Sequence, residues 1–332
     1  MSEASQIQTG ELRPNGAGGL QALLQQPSAE ERQVALTELR DRVEPEALEP
    51  LLGALTDPDA VVRRLAVELL EELGDARAIS ALIERLCDAD DEVQSAARAA
   101  LREFREEAAA EPLIAGIKHV DAGVRAAVIT GLRELRDPRA TAPLIAALQD
   151  ADAGVRREAV IALGYLRRGE AVEGLRGRLA DPDPGVRRVA VGALSFFAGP
   201  ALLEDYLSAL RDGDWQVRRE AAIVLGRQAL SGAIPALRSA LGDPYWQVQK
   251  VTLESLGRLQ ARAAVPDLIQ YLAHTNADLR RAAAQALGEL RAARATAALR
   301  ALSQDADVEV RKAATRALEA IGRNPDPTNE EN

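Results

Sequence analysis

The sequence is poor in the residues that redox, metal and nucleophilic chemistry draw on. Its 332 residues hold one cysteine, Cys87, and two histidines, His119 and His274. No internal disulfide can form, so nothing demands an oxidising compartment. Aromatic residues make up only 3%, which argues against a β sandwich or barrel, whose strands favour them. There is no run of eighteen or more apolar residues, which a membrane span would need, and no basic-then-apolar N-terminus of a secretion signal. The expected location is cytoplasmic, with no membrane contact. Phosphate-binding Gly-rich loops, dinucleotide fingerprints and nucleophile elbows are likewise missing. Net charge is −10, with 12 cations against 24 acids in residues 1–120 and 29 against 27 beyond. Nucleic-acid binders normally carry a basic footprint, so no nucleic-acid partner is expected.

What the sequence has in abundance is repetition. A Val-Arg pair follows an acidic turn at Val62-Arg63, Val124-Arg125, Val155-Arg156, Val186-Arg187, Val217-Arg218 and Val310-Arg311, and variants fill the gaps at Val93-Gln94, Val248-Gln249 and Leu279-Arg280. Nine copies lie 31 residues apart without insertion or deletion. A fixed period of this length marks a repeat array, which can outgrow a single core because each repeat packs only on its neighbours. Alignment on the period gives an unbroken leucine column from Leu70 through Leu101, Leu132, Leu163, Leu194, Leu225, Leu256 and Leu287 to Leu318. A second column of leucines runs from Leu82 to Leu299 and is interrupted only by Tyr206. Both are expected core.

Within one repeat, Ala78, Leu82 and Leu86 mark a first helix, and Val62, Ala66, Leu69, Leu70 and Leu73 mark a second with three-and-four spacing. Each helix is expected to have about twelve residues, near the globular average. Asp59 closes the turn between them and caps the second helix, and Asp90, Asp121, Asp152, Asp183, Asp214 and Asp307 repeat that cap. Ser28 and Glu31 form a capping box in a degenerate first repeat. The expected fold is all-α, a right-handed α-solenoid (an α-α superhelix) of about ten 31-residue helical hairpins. The hairpins fall near 19–43, 45–74, 76–105, 107–136, 138–167, 169–198, 200–229, 231–260, 262–291 and 293–322. Residues 1–18 and 323–332 are polar, without apolar period, and are expected to be disordered tails.

The segments DADAGVRREAVIALGYL, DPDPGVRRVAVGAL and DGDWQVRREAAIVLG resemble the HEAT-like repeats named after phycobilisome lyases, and the resemblance spans nearly the whole chain. It implies that a turn Asp and the Arg after the Val bridge neighbouring repeats as a ladder, which would make Asp152/Arg156, Asp183/Arg187 and Asp214/Arg218 structural. It also implies that the outward face of the second helices lines a concave side. A few members of this family attach bilin chromophores, and many are adaptors or assembly factors. His119 and His274 stand five repeats apart, too distant for the paired His-Glu iron site of HEAT-like hydroxylases, so no metal site is expected.

On that outward face one column reads Arg64, Ser95, Ala126, Arg157, Arg188, Arg219, Lys250, Arg281, Lys312. Two readings fit its cationic stretch. It can meet the acidic groups of a partner or a propionate-bearing ligand, or it can solubilise the helix and pair with acids such as Glu158 and Glu220. Ile161 and Ile223 lie near the same face, and Tyr165 and Phe196 lie at its flank beside small residues. Those aromatics either edge a partner pocket or fill gaps between second helices. Trp215 and Trp246 share a column at the second-helix start, as an exposed pair or as rings packed on the next turn. The expected function is a non-catalytic adaptor or assembly factor that holds a protein partner, through an acidic or amphipathic segment, without a cofactor. The alternative is a phycobilin-lyase-like chaperone that presents a tetrapyrrole to an acceptor protein, and a chromophore lyase is the one enzymatic activity in view.

Overall fold

Each acidic turn starts a helix because its carboxylate takes N–H groups that the first helical turn leaves unpaired. Asp59 Oδ1 accepts from the N–H of Val62 at 2.9 Å, and Asp90, Asp121, Asp152, Asp183, Asp214 and Asp307 accept from the equivalent valine three residues on. Ser28 accepts from Glu31 N–H, but its hydroxyl donates to Glu30, so the reciprocal half of the expected capping box is replaced by a side-chain contact.

The structure, a computed structural model, describes residues 17–40, 42–197 and 200–323. Of the expected tails, residues 1–16 and 324–332 lie outside the described residues. The described chain is helical without a strand and parts into two compact units between Leu166 and Arg167. The first unit holds α1 (Ala17–Leu23), α2 (Ala29–Thr37), α3 (Leu48–Ala54), α4 (Ala60–Leu73), α5 (Ile79–Arg85), α6 (Asp91–Ala100), α7 (Ala110–Gly116), α8 (Ala122–Leu135), α9 (Thr141–Ala147) and α10 (Ala153–Leu166). The second holds α11 (Val172–Gly177), α12 (Pro184–Leu194), α13 (Leu203–Ala209), α14 (Trp215–Arg227), α15 (Ile234–Ala240), α16 (Trp246–Arg258), α17 (Val265–Tyr271), α18 (Ala277–Glu289), α19 (Thr296–Leu302) and α20 (Val308–Arg323). Odd and even helices pair as hairpins, and even helices stack on one another, α2 on α4 on α6 in the first unit and α12 through α20 in the second. The fold class is the all-α solenoid of helical hairpins that the period predicts.

Helix lengths depart from the expected twelve. After the first hairpin, the odd helices have six or seven residues because the three preceding residues tighten into a 3₁₀ turn, as Ala76–Ala78 does before α5. Even helices run from 9 residues in α2 to 16 in α20.

The two leucine columns are the core. Leu70 through Leu287 are buried, as are Leu82 through Leu299 with Tyr206 in the interrupted slot, and only Leu318, near the end of α20, is half-buried. Full burial of such a side chain is worth about 1.5–3 kcal/mol, and most repeats supply two.

The ladder is present, and its acid differs from the expected one. Arg218 Nε and Nη2 donate to Asp243 at 2.6 and 3.0 Å, while Nη1 donates to the carbonyls of Asp212 and Gly213. The partner is therefore the first acid of the next turn, 25 residues on, and Asp214 is left to its cap. Arg32–Asp57, Arg63–Asp88, Arg125–Asp150, Arg187–Asp212 and Arg280–Asp305 repeat the arrangement. The guanidinium thus reaches across the hairpin boundary, and each ladder aspartate also accepts a backbone N–H of its own turn, as Asp243 does from Tyr245 and Asp88 from Asp90.

Candidate functional site

Residues four apart on a helix share a face. On α14 that stripe is Trp215, Arg219, Ile223 and Arg227, and on α16 it is Trp246, Lys250, Glu254 and Arg258. The two stripes border a shallow, open pocket of about 280 Å³ in the second unit, lined by Arg219, Ile223, Trp246, Lys250, Glu254 and Arg258 among others. The two helices approach closely: a Cβ on Gly226 of α14 would sit 2.4 Å from Ser255 Oγ of α16, which donates to the Ala222 carbonyl at 2.8 Å. Only glycine lets Ser255 lie there.

The cations of the predicted column divide into two kinds. Arg64 pairs with Glu68 and Glu92, Arg157 lies 3.8 Å from Glu158, Arg281 pairs with Asp278 and Lys312 with Glu309. Arg188, Arg219 and Lys250, on the successive helices α12, α14 and α16, have no ion-pair partner among the described residues. The flanking cations thus lie beside acids, and the middle three stand open. At the far end of the pocket Arg258 lies 3.8 Å from Glu254. Beyond it, burial pushes the Glu289 carboxyl above its ordinary value, against the pull of Arg258.

The two tryptophans part company. Trp215 is half-buried and stacks on Tyr245 with centroids 5.5 Å apart and planes 13° from parallel, and the Arg218 guanidinium lies 5.7 Å from the Tyr245 ring. This ring packs on the next turn. Tyr245 fills the turn position that Asp214 and Asn276 hold in the neighbouring repeats, and Trp246 remains 40% exposed in the pocket. Ile223 is half-buried beside it. Phe196 lies under Arg167, 5.0 Å from the guanidinium, on the second unit. In the first unit, Arg157, Ile161 and Tyr165 share a stripe of α10, with Arg133 and Arg136 at 5.7 and 5.9 Å from the Tyr165 ring. Sequence reasoning missed Glu254 and Arg258, although their spacing of four from Lys250 was the signal that could have found them.

Among the described residues no group of three or more His, Cys, Asp or Glu could hold a metal ion, Cys87 is exposed, and no helix is long and apolar enough to cross a membrane.

Stacked helical hairpins with an aligned arginine–aspartate ladder define an α-solenoid. Models of HEAT repeats match residues 18–102, 81–160, 141–207, 203–283 and 265–329, and the chain belongs to the HEAT-repeat family. No curated protein matches it. Among solved structures it is similar to the Escherichia coli protein YibA, with 19% identity and a TM-score of 0.54 over 80% of this chain and 98% of that one. It is similar to Kap95p, solved with RanGDP, at 14% identity and a TM-score of 0.63, covering 92% of this chain and 48% of that one. Kap121p, solved with the extreme C-terminus of the phosphatase Cdc14p, gives 16% and 0.59 over 92% and 41%. The chain therefore spans less than half of either karyopherin, and at these identities the likeness is one of fold.

Proposed function

We propose that this chain is a non-catalytic scaffold, an adaptor or assembly factor, that holds a protein partner on the even-helix face of its second unit. The observation that carries the reading is the run of three cations without an ion-pair partner among the described residues, Arg188, Arg219 and Lys250, beside an exposed tryptophan. Arginine and tryptophan are the side chains over-represented where binding energy concentrates, and a cation left without an internal acid is available to a partner's carboxylate. Fold neighbours support it, since Kap95p and Kap121p are solved with protein partners. The same cations would pair with the propionates of a tetrapyrrole, as kinship to phycobilisome-lyase-like repeats would suggest. Against that reading, the pocket is shallow and open, whereas small-molecule sites enclose most of their ligand.

The test is capture of partners by immobilised protein and by the double variant Arg188→Glu/Arg219→Glu. Capture lost with helical circular dichroism unchanged supports the reading, and capture unchanged overturns the assignment of this face. A spectral change on mixing with stoichiometric bilin or haem would transfer the site to a ligand carrier.

A further inference from the structure

The pocket beside Trp246 is asymmetric in charge, and that asymmetry limits what it can hold. Arg219 and Lys250 stand at one end without an ion-pair partner among the described residues, the indole of Trp246 and the side chain of Ile223 form an apolar wall, and Arg258 and Glu254 lie close at the other end. Three cations face one carboxylate, and that carboxylate lies beside Arg258. Val251, in the lining, is 6% exposed and gives the pocket an apolar base. The column offers a control within the molecule: where the face only needs solvation, as at Arg281 and Lys312, the cation has an acid three residues away on its own helix.

We infer that this pocket receives an acidic–apolar segment of a protein partner, with one apolar side chain laid against Trp246 and Ile223 and an adjacent carboxylate set between Arg219 and Lys250. The inference rests on the protein-binding reading and specifies its occupant. Burying the indole removes exposed apolar surface from water, and the flanking carboxylate gains charge-assisted hydrogen bonds that strengthen as the apolar neighbour excludes solvent. A basic segment would face three cations with one acid to offset them. A nucleic-acid strand would find little net attraction beyond the pocket, since residues 121–332 carry 29 cations against 27 acids and lack the basic footprint that phosphate binding draws on.

The test uses the full chain carrying Trp215→Phe, which keeps a ring on Tyr245 and leaves Trp246 as the sole tryptophan, so its fluorescence reports the pocket. The probes are a peptide of alternating Glu and Leu, its Gln/Leu isostere, a Lys/Leu peptide, a Glu/Ala peptide and a thymidine oligonucleotide. A saturable blue shift with Glu/Leu is expected, with affinity at least about tenfold weaker for Gln/Leu and for Glu/Ala, and the preference for Glu over Gln should disappear in Arg219→Gln/Lys250→Gln. Equal binding of Glu/Leu and Gln/Leu, tighter binding of Lys/Leu or of the oligonucleotide, or no saturable shift with any probe overturns the inference. So does a shift that tracks protein concentration without probe, which would mean that a second copy fills the pocket. Failure here is separable from failure of the scaffold reading: capture lost in Arg188→Glu/Arg219→Glu but retained in Trp246→Ala keeps the scaffold and removes this occupant.

Discussion

Gln94 and Gln249 replace the ladder arginine, and His119 and His274, 25 residues beyond each, replace the ladder aspartate. The substitutions come as pairs because each half does part of the original work. Gln249 Nε2 donates to the Asp243 carbonyl at 2.7 Å, as the arginine Nη1 does elsewhere, and His274 Nδ1 accepts from the Asn276 N–H at 3.0 Å, as the aspartate Oδ1 does. Neither half suits the other version. Gln249→Arg places a guanidinium without its carboxylate, and His274→Asp leaves a carboxylate without its guanidinium and removes the ring stacked on Tyr271. The double variant Gln249→Arg/His274→Asp should recover most of what the singles lose, with a coupling of about 1–3 kcal/mol in urea denaturation. Strict additivity would show that the paired exchange is accidental. A second residue-scale case is Tyr206, which fills a leucine slot 1% exposed with no hydrogen-bond partner for its hydroxyl among the described residues. Burial pushes its pKa up to about 12. Removing an unsatisfied buried hydroxyl relieves a desolvation cost of about 1–3 kcal/mol at most, so Tyr206→Phe should raise the urea midpoint or leave it unchanged; a clear loss would mean that the hydroxyl has a partner.

At the scale of the helix, the ends carry a cost that the beginnings do not. In α14, α16 and α18 the chain leaves through a left-handed residue, Ala229, Gln260 and Arg291, with φ of 53°, 52° and 49°. The following N–H then reaches back to the carbonyl of Leu225, Leu256 or Leu287, the six-to-one bond of a Schellman motif. Glycine is the residue that takes this conformation without strain, and here it does so only at Gly74 among these helix ends. Ala229→Gly, at an exposed site, should therefore stabilise by up to about 1 kcal/mol after the greater freedom of glycine in the unfolded chain is set against it; destabilisation would show that the methyl group packs. These ends were not legible in the sequence, because a left-handed cap is announced by glycine and these positions lack it. The leucine columns and the Asp caps were legible because each is a local pattern of one residue type at one offset. The ladder acid was misplaced for the opposite reason: two acids stand two residues apart in each turn, and only the paired Gln/His exceptions at an offset of 25 show which one faces the arginine. The pocket was half legible. Arg219, Lys250 and Ile223 were placed on one face by the helical period, but Trp246, four before Lys250, was grouped only with Trp215 at the second-helix start.

At the scale of the whole molecule, the ladder makes stability depend on acid. The Arg63 guanidinium holds the Asp88 carboxyl below the ordinary carboxylate range, Arg125 does the same to Asp150, and Arg280 to Asp305. A carboxyl whose native pKa is depressed binds its proton more weakly folded than unfolded. Its contribution is therefore fully present above the ordinary value of about 3.9 and is lost as pH falls from there through the native value. Glu71 has the opposite sign. Burial, and then the like charges of Glu103 and Glu68, push its pKa up, so its ionisation weakens the fold as pH rises through the raised native value, and the penalty is in place at neutrality. The two effects act in separate windows and on separate residues. Urea midpoints should thus rise slightly as pH falls from neutrality toward the ordinary glutamate value of about 4.3 and fall steeply below pH 4, with helical circular dichroism lost on that acid side. Glu71→Gln should flatten that rise while leaving the acid limb in place, and Asp88→Asn should lower stability at neutral pH while making the acid limb shallower. An acid limb that begins above pH 5, or one that Asp88→Asn leaves as steep as before, would assign acid sensitivity to groups other than the ladder.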